Sequence, residues 1–241
     1  MWRPDRIAWW TGALFALGSL LFLIPGIAAL GSSATWIGFG FATGSVFFTS
    51  AALLQLVAAS EAPHRGRPRH ERTLLRPRGW LPQRVDWVAA AVQFPGTILF
   101  NVNTFVALDH ALDPHQMDVR VWGPDMIGSA CFLIASTLAF ANAEHRWLSF
   151  RPRDLDWQIA AWNLLGSIFF GISAVAAFVE PSTGDPVNDA IANGGTAAGA
   201  ACFLIGALLL PLQAERQQRR LRAPGRDDDR PADGAQALGT A

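Results

Sequence analysis

The chain has 241 residues, of which 51% are hydrophobic and only 16% are charged, and its mean hydropathy is positive at +0.24. This charge content is too low for an ordinary soluble domain of the same length, whose surface would need more charged side chains. The formal net charge is zero, and the two cysteines imply no disulfide framework.

The charged residues are segregated along the chain. Six windows contain no Asp, Glu, Lys or Arg, and a helix crossing a hydrocarbon core of about 30 Å needs about 20 apolar residues. We therefore predict an all-α membrane protein with six transmembrane helices. The windows cover residues 7–30, 36–60, 87–108, 126–143, 157–179 and 190–214.

The predicted spans form three helical hairpins separated by polar segments. We expect one segment to be a cytoplasmic Arg-rich connector, one a cytoplasmic loop, and the last a cytoplasmic tail that is mostly disordered. In chain order, the units are hairpin 1 at 1–61 (spans 7–30 and 36–59), the connector at 62–84, hairpin 2 at 85–145 (spans 87–108 and 124–143), the loop at 146–154, hairpin 3 at 155–215 (spans 157–179 and 190–212), and the tail at 216–241.

The hairpins share an internal repeat. The odd-numbered spans carry W-x8-G-[ST]-x-x-F, starting at Trp9, Trp87 and Trp157, and the even-numbered spans carry G-[SA]-x-x-F. Both patterns occur three times in the same order, so we predict three parallel helical-hairpin repeats. Small residues let membrane helices approach closely, which assigns helix packing to the shared glycines. These are Gly18, Gly44, Gly96, Gly128, Gly166 and Gly199.

The arginines predict the orientation. All nineteen basic residues are Arg, and all but Arg120 lie before span 1, between spans 2 and 3, between spans 4 and 5, or after span 6. Short loops rich in Arg stay in the cytoplasm, so both termini should be cytoplasmic in a multi-pass protein of the inner (plasma) membrane. We expect the Arg-rich face to contact anionic lipid headgroups of the bilayer rather than nucleic acid. Arg without Lys, with abundant Ala and Gly, is typical of a bacterial genome rich in GC.

The hairpin with Gly-Ser-x-x-Phe in one helix and Gly-Ser/Ala-x-x-Phe in the next resembles the YrhK-like bacterial membrane domain. This resemblance implies a small two-helix membrane module, present here in three tandem copies. It implies no catalytic residues. The long connector and the polar character of span 3 depart from the family pattern.

Polar side chains inside the predicted spans form one candidate site. Gln93 and Asn101 lie in span 3, and Asn163 occupies the repeat position of Gln93 in span 5. Such residues face either a partner helix, as interhelical hydrogen-bonding groups, or a solute pathway. We expect Gln93 and Asn163 to face the bundle interior with Asn101, and Asn103 to meet the headgroups.

A weaker candidate is a metal site in the second outer loop, which contains two imidazoles and three carboxylates within ten residues. An acidic, solvated loop explains the same residues, so no metal is assigned. They are Asp109, His110, Asp113, His115 and Asp118.

No catalytic or cofactor-binding motif is present, so we expect neither an enzyme nor a cofactor. The leading hypothesis is an integral membrane protein with a structural or assembly-related role, whose repeats could also form a homo-oligomer. The alternative is a small channel or transporter for an uncharged or weakly polar solute, with Gln93, Asn101, Asn103 and Asn163 lining the path. A packed Gly/Phe core favours the first hypothesis, and a polar vestibule near Asn101 favours the second.

Overall fold

A computed structural model describes residues 4–61, 81–144 and 151–222, and its regular structure is helical. It contains six long helices and the short helix α4, and a π-helical turn, Asp118–Trp122, joins α4 to α5. The helices are α1 (Pro4–Ala28), α2 (Thr35–Glu61), α3 (Val85–Val106), α4 (Pro114–Met117), α5 (Gly123–Glu144), α6 (Leu155–Ala176) and α7 (Asp189–Arg222).

Six helical stretches are long and apolar enough to cross a membrane. Each overlaps one of the six predicted spans, so the expected number of spanning-length helices is confirmed. They are Arg6–Ala28, Thr35–Ser60, Val85–Val106, Pro114–Ala143, Leu155–Ala176 and Asp189–Arg216.

The six long helices pack as a closed ring. Each packs against its neighbour in the order α1, α2, α3, α5, α6, α7, and α7 returns to pack extensively against α1. The first and the last of the long helices therefore belong to one continuous bundle.

Aromatic rings fill the centre of this bundle. Each long helix contributes one phenylalanine, four residues after a shared glycine, and neighbouring ring centroids lie 5.0 to 6.4 Å apart. We call this set the phenylalanine plug: Phe22, Phe48, Phe100, Phe132, Phe170 and Phe203.

The shared glycines explain how the helices approach closely enough to form the plug. Within each hairpin the glycine of one helix lies against the phenylalanine of the other: Gly166 faces Phe203, and Gly199 faces Phe170. The same reciprocal arrangement joins α1 to α2 through Gly18 and Gly44, and α3 to α5 through Gly96 and Gly128. The residue after each glycine is small and almost fully buried, as Ser19, Ser45, Thr97, Ser129, Ser167 and Ala200 are.

The start of span 4 differs from the expected boundary at residue 124. Helical structure begins at Pro114, passes through the π-helical turn and continues as α5 from Gly123. Pro124 has no N–H to donate, so the regular α-helical bond to the carbonyl four residues back is missing at this position. The Gly123 N–H instead bonds to the Asp118 carbonyl, five residues back, which is the π-helical pattern.

Several expectations lie outside the described residues. These are most of the Arg-rich connector, the first part of the loop at 146–154, and most of the tail.

Candidate functional site

A cavity of about 210 Å³ lies at the end of the bundle where α1, α3 and α6 finish. All six long helices contribute to its lining, so it lies on the axis of the ring. We call it the Asp125 cavity, after the carboxylate in its wall. Its polar side chains include Asn103, Asp125, Ser173, Asn193 and Thr196, and its apolar walls include Phe41 and Trp122.

Asp125 is held by a residue from a neighbouring helix. The Nδ2 atom of Asn103 on α3 donates a hydrogen bond of 2.7 Å to Oδ1 of Asp125 on α5. Asn103 is only 8% exposed, whereas Asp125 is half-buried and lines the cavity. Within the described part of the chain, the one ion pair joins Arg84 to Asp86, so Asp125 has no basic partner there.

A smaller chamber of about 20 Å³ lies between the Asp125 cavity and the phenylalanine plug. Asp125, Ser173 and Thr196 line both spaces, and Ser129 lines the chamber. Its volume is sufficient for about one water-sized species. Rings of the plug form its apolar lining, so the polar region ends at the plug.

The hydroxyl groups in the chamber already donate their hydrogen bonds to other protein groups. Ser173 Oγ donates to the Ala192 carbonyl at 2.6 Å, so Thr196 must be the donor in the 2.7 Å contact between their hydroxyls. Ser129 Oγ donates to the Phe170 carbonyl at 3.4 Å. These oxygens therefore retain lone pairs, and the chamber has an excess of hydrogen-bond acceptors.

The π-helical turn and the loop after α6 close one side of the cavity. Trp122 Nε1 donates to the Ala174 carbonyl at 2.8 Å, and its ring packs edge-on against Phe178 with centroids 5.0 Å apart. The Val179 N–H donates to Asp118 Oδ1 at 3.1 Å, which ties this loop to the turn. Trp122 and Val179 both line the cavity.

The three residues of the predicted polar cluster lie elsewhere. Asn101 Nδ2 donates to Thr49 Oγ1 at 2.8 Å across the α2–α3 interface. Asn163 is half-buried against Gly206 of α7, since a Cβ added to that glycine would lie 2.7 Å from its Oδ1. Gln93 is half-buried and makes no hydrogen bond to another described residue. None of the three lines the Asp125 cavity.

Of the polar residues of the cavity, the sequence pointed only to Asn103, as one of the residues lining the path of a transporter. Its position near the end of span 3 also suggested contact with headgroups, yet it is the asparagine that lines the axial cavity. Asp125 falls one residue before the charge-free window at 126–143, at the very start of the predicted span 124–143, and no role was assigned to it. The usable signal was the combination of a polar residue near the end of one span and an acidic residue at the start of the next.

The carboxylates of the segment between α3 and α5, which was the weaker candidate for a metal site, make structural hydrogen bonds. Asp109 accepts from the Ala111 N–H, Asp113 caps α4 by accepting from the Gln116 N–H, and Asp118 accepts from Val179. Across the ranges 4–61, 81–144 and 151–222, no group of three or more His, Cys, Asp and Glu side chains is close enough to hold a metal ion.

Comparison with known families matches part of this bundle. Residues 83–182 match the family model described as YrhK-like protein, which confirms the resemblance for that segment. The match covers hairpin 2 and α6, including Asn103, Asp125 and Ser173 of the cavity. The chain has no significant match among curated proteins or solved structures.

Proposed function

We propose that this chain is a multi-pass integral membrane protein with a structural or assembly-related role and no enzymatic activity. Its six spans form three tandem copies of one hairpin, inserted in parallel. The reciprocal Gly–Phe packing inside each hairpin supports the repeat, because the same contact recurs at equivalent sequence positions in α1–α2, α3–α5 and α6–α7.

The proposed orientation places both termini in the cytoplasm of a bacterial cell, with the Asp125 cavity on the opposite side of the inner membrane. A groove of about 930 Å³ at the other end of the bundle supports this orientation. It is lined by Arg151, Arg153 and Arg216, together with Asp154 and Asp156. Arginines at that level would contact anionic lipid headgroups.

The observation that carries the proposal is the phenylalanine plug. Phe48 and Phe132 are each only 1% exposed at the centre of the ring, and the other four rings pack around them. A bundle closed by six interlocking aromatic rings offers no continuous polar path. Such a centre suits a protein that supports other membrane components or forms a homo-oligomer.

The second candidate is a small channel or transporter for an uncharged or weakly polar solute. The Asp125 cavity favours it, since polar groups inside a membrane bundle often mark a solute site. A transporter would need the plug to open on the side of the bundle away from the cavity.

A flux assay separates the two candidates. Purified full-length protein is reconstituted into liposomes, and swelling is recorded in isosmotic glycerol and urea. We expect rates equal to those of protein-free liposomes. Swelling that exceeds this baseline, and that disappears when Ala177→Leu fills the cavity wall, would replace the structural proposal with the transport candidate.

A further inference from the structure

The Asp125 cavity combines one carboxylate, several acceptor oxygens and aromatic walls in the interior of the bundle. A carboxylate removed from water is costly unless it is paired with a cation or protonated. Asn103 satisfies only Oδ1 of Asp125. The second oxygen has no hydrogen-bond partner among the described residues.

The directions of the hydrogen bonds show that the chamber lacks hydrogen-bond donors. Three hydroxyl groups present lone pairs there, because each uses its O–H to donate a hydrogen bond to another protein group; they belong to Ser129, Ser173 and Thr196. Asn193, a polar side chain in the wall of the larger cavity, carries both a donor and an acceptor. The deepest polar region therefore requires a group that donates several hydrogen bonds.

The sizes of the chamber and the cavity suit a ligand with a small charged group and a larger apolar body. The chamber of about 20 Å³ has room for one compact polar group, while the adjoining cavity of about 210 Å³ has room for a larger one. Phe22, Phe41 and Trp122 provide aromatic surface in the cavity wall. Aromatic faces attract cations within about 6 Å of the ring centroid.

We propose that the Asp125 cavity binds a small organic cation, with a primary ammonium in the chamber and an apolar body in the larger cavity. The ammonium donates one hydrogen bond to Asp125 and the others to the hydroxyl oxygens of Thr196 and Ser129. This binding does not depend on the structural role proposed for the bundle, and it requires no open pathway.

The test uses the full chain purified in detergent and isothermal titration calorimetry in a potassium buffer. The probes are 2-phenylethylammonium chloride and its neutral near-isostere 2-phenylethanol. We expect saturable binding of the ammonium at one site per chain, and binding of the alcohol weaker by about tenfold or more, as the loss of charge-assisted hydrogen bonds implies.

Two variants assign the binding to this cavity. Asp125→Asn removes the charge while an amide oxygen can still accept from Asn103, so we expect a folded protein with affinity lowered by about tenfold or more. Ala177→Leu keeps the charge and fills the cavity wall, which should abolish binding. Asp185→Asn makes the same chemical change at an exposed loop residue outside the cavity, and should leave the affinity unchanged.

Three outcomes would overturn the proposal. The first is the absence of saturable binding to the wild-type protein, and the second is equal affinity for the ammonium and the alcohol. The third is binding of sodium, titrated as its chloride, that depends on Asp125 while the ammonium does not bind. If Asp125→Asn fails to fold, the alcohol comparison and Ala177→Leu still decide the matter.

Discussion

Gly166 and Gly199 face each other across α6 and α7 with almost no space between their backbones. A Cβ atom built on Gly166 would lie 3.0 Å from the Gly199 carbonyl oxygen, and one built on Gly199 would lie 2.9 Å from the Gly166 carbonyl oxygen. Since each contact is made by backbone, a side chain at either position requires the two helices to separate. That separation would also move Phe170 and Phe203 in the phenylalanine plug.

The first prediction concerns this contact. Gly166→Ala should lower the free energy of unfolding by about 1–3 kcal/mol, because the methyl group overpacks a rigid interface. The equivalent changes at Gly18 and Gly96 should have similar effects, and leucine at any of the three should cost at least as much. The measurement is reversible unfolding in mixed detergent micelles.

Gly171 is the matched control on the same helix. A Cβ atom there meets nothing within 4 Å. Gly171→Ala should therefore be neutral or should stabilise the protein by up to about 1 kcal/mol through helix propensity. Equal effects of alanine at Gly166 and Gly171 would mean that the close helix contact does not contribute to stability.

The second prediction compares the two partners of one interhelical hydrogen bond. Asn101 donates to Thr49 Oγ1, while its own Oδ1 is buried without a partner. Thr49→Val leaves a second polar group of Asn101 unpaired and should cost at least about 0.6 kcal/mol, the average for such bonds in membranes. Asn101→Leu removes the unpaired oxygen together with the bond, so its cost should be smaller.

The measurement is the same unfolding assay applied to both variants. Both changes break the bond between Asn101 and Thr49, and Thr49→Val also removes the hydroxyl that donates to the Thr97 and Ser45 carbonyls at 3.1 Å, which adds to its cost. A larger loss for Asn101→Leu than for Thr49→Val would show that the Asn101 carbonyl oxygen is satisfied in the folded protein.

The number and length of the helices could be predicted because both depend on local sequence. A window without charge can form a long apolar helix whatever its neighbours are. A shared glycine inside such a window indicates a place where two helices approach closely. The sequence predicts that the shared glycines lie at helix contacts, but the pairing of Gly128 with Phe100 is known only from the structure. Three parallel hairpins suggest a pseudo-threefold arrangement but also fit a linear one, so the sequence alone does not decide that α1 and α7 close the ring.

The candidate site could not be predicted for a different reason. Asn103 and Asp125 meet because the end of α3 faces the start of α5, and the sequence does not specify which side chains of the two ends are brought together. The expected helix start at residue 124 gave no reason to place Asp125 inside the bundle. Asn101 and Asn103 point to different neighbours, α2 and α5, as their spacing of two residues on a helix requires.

The third prediction concerns orientation. Reporter fusions after Arg76, which lies outside the described residues, and after Arg151 and Arg222 should register as cytoplasmic. Fusions at Asp113 and Asp185 should register as external. An external signal at Arg151 combined with a cytoplasmic signal at Asp113 would invert the topology and place the Asp125 cavity on the cytoplasmic side.

The last prediction concerns the energy of the Asn103–Asp125 hydrogen bond. Asn103→Leu, Asp125→Leu and the double variant form a thermodynamic cycle whose coupling term reports on the pair alone. Coupling energies of interhelical hydrogen bonds in membranes average about 0.6 kcal/mol and reach about 1.7 kcal/mol. We expect the upper part of that range, because the bond is 2.7 Å long, one partner is a carboxylate, and Asn103 is buried.

The control cycle pairs Asn103→Leu with Asp185→Leu, which should give no coupling because Asp185 is an exposed loop residue with no bond to Asn103. Zero coupling in the first cycle as well would mean that Asn103 does not hold the carboxylate, and that the cavity positions Asp125 through the α5 backbone alone.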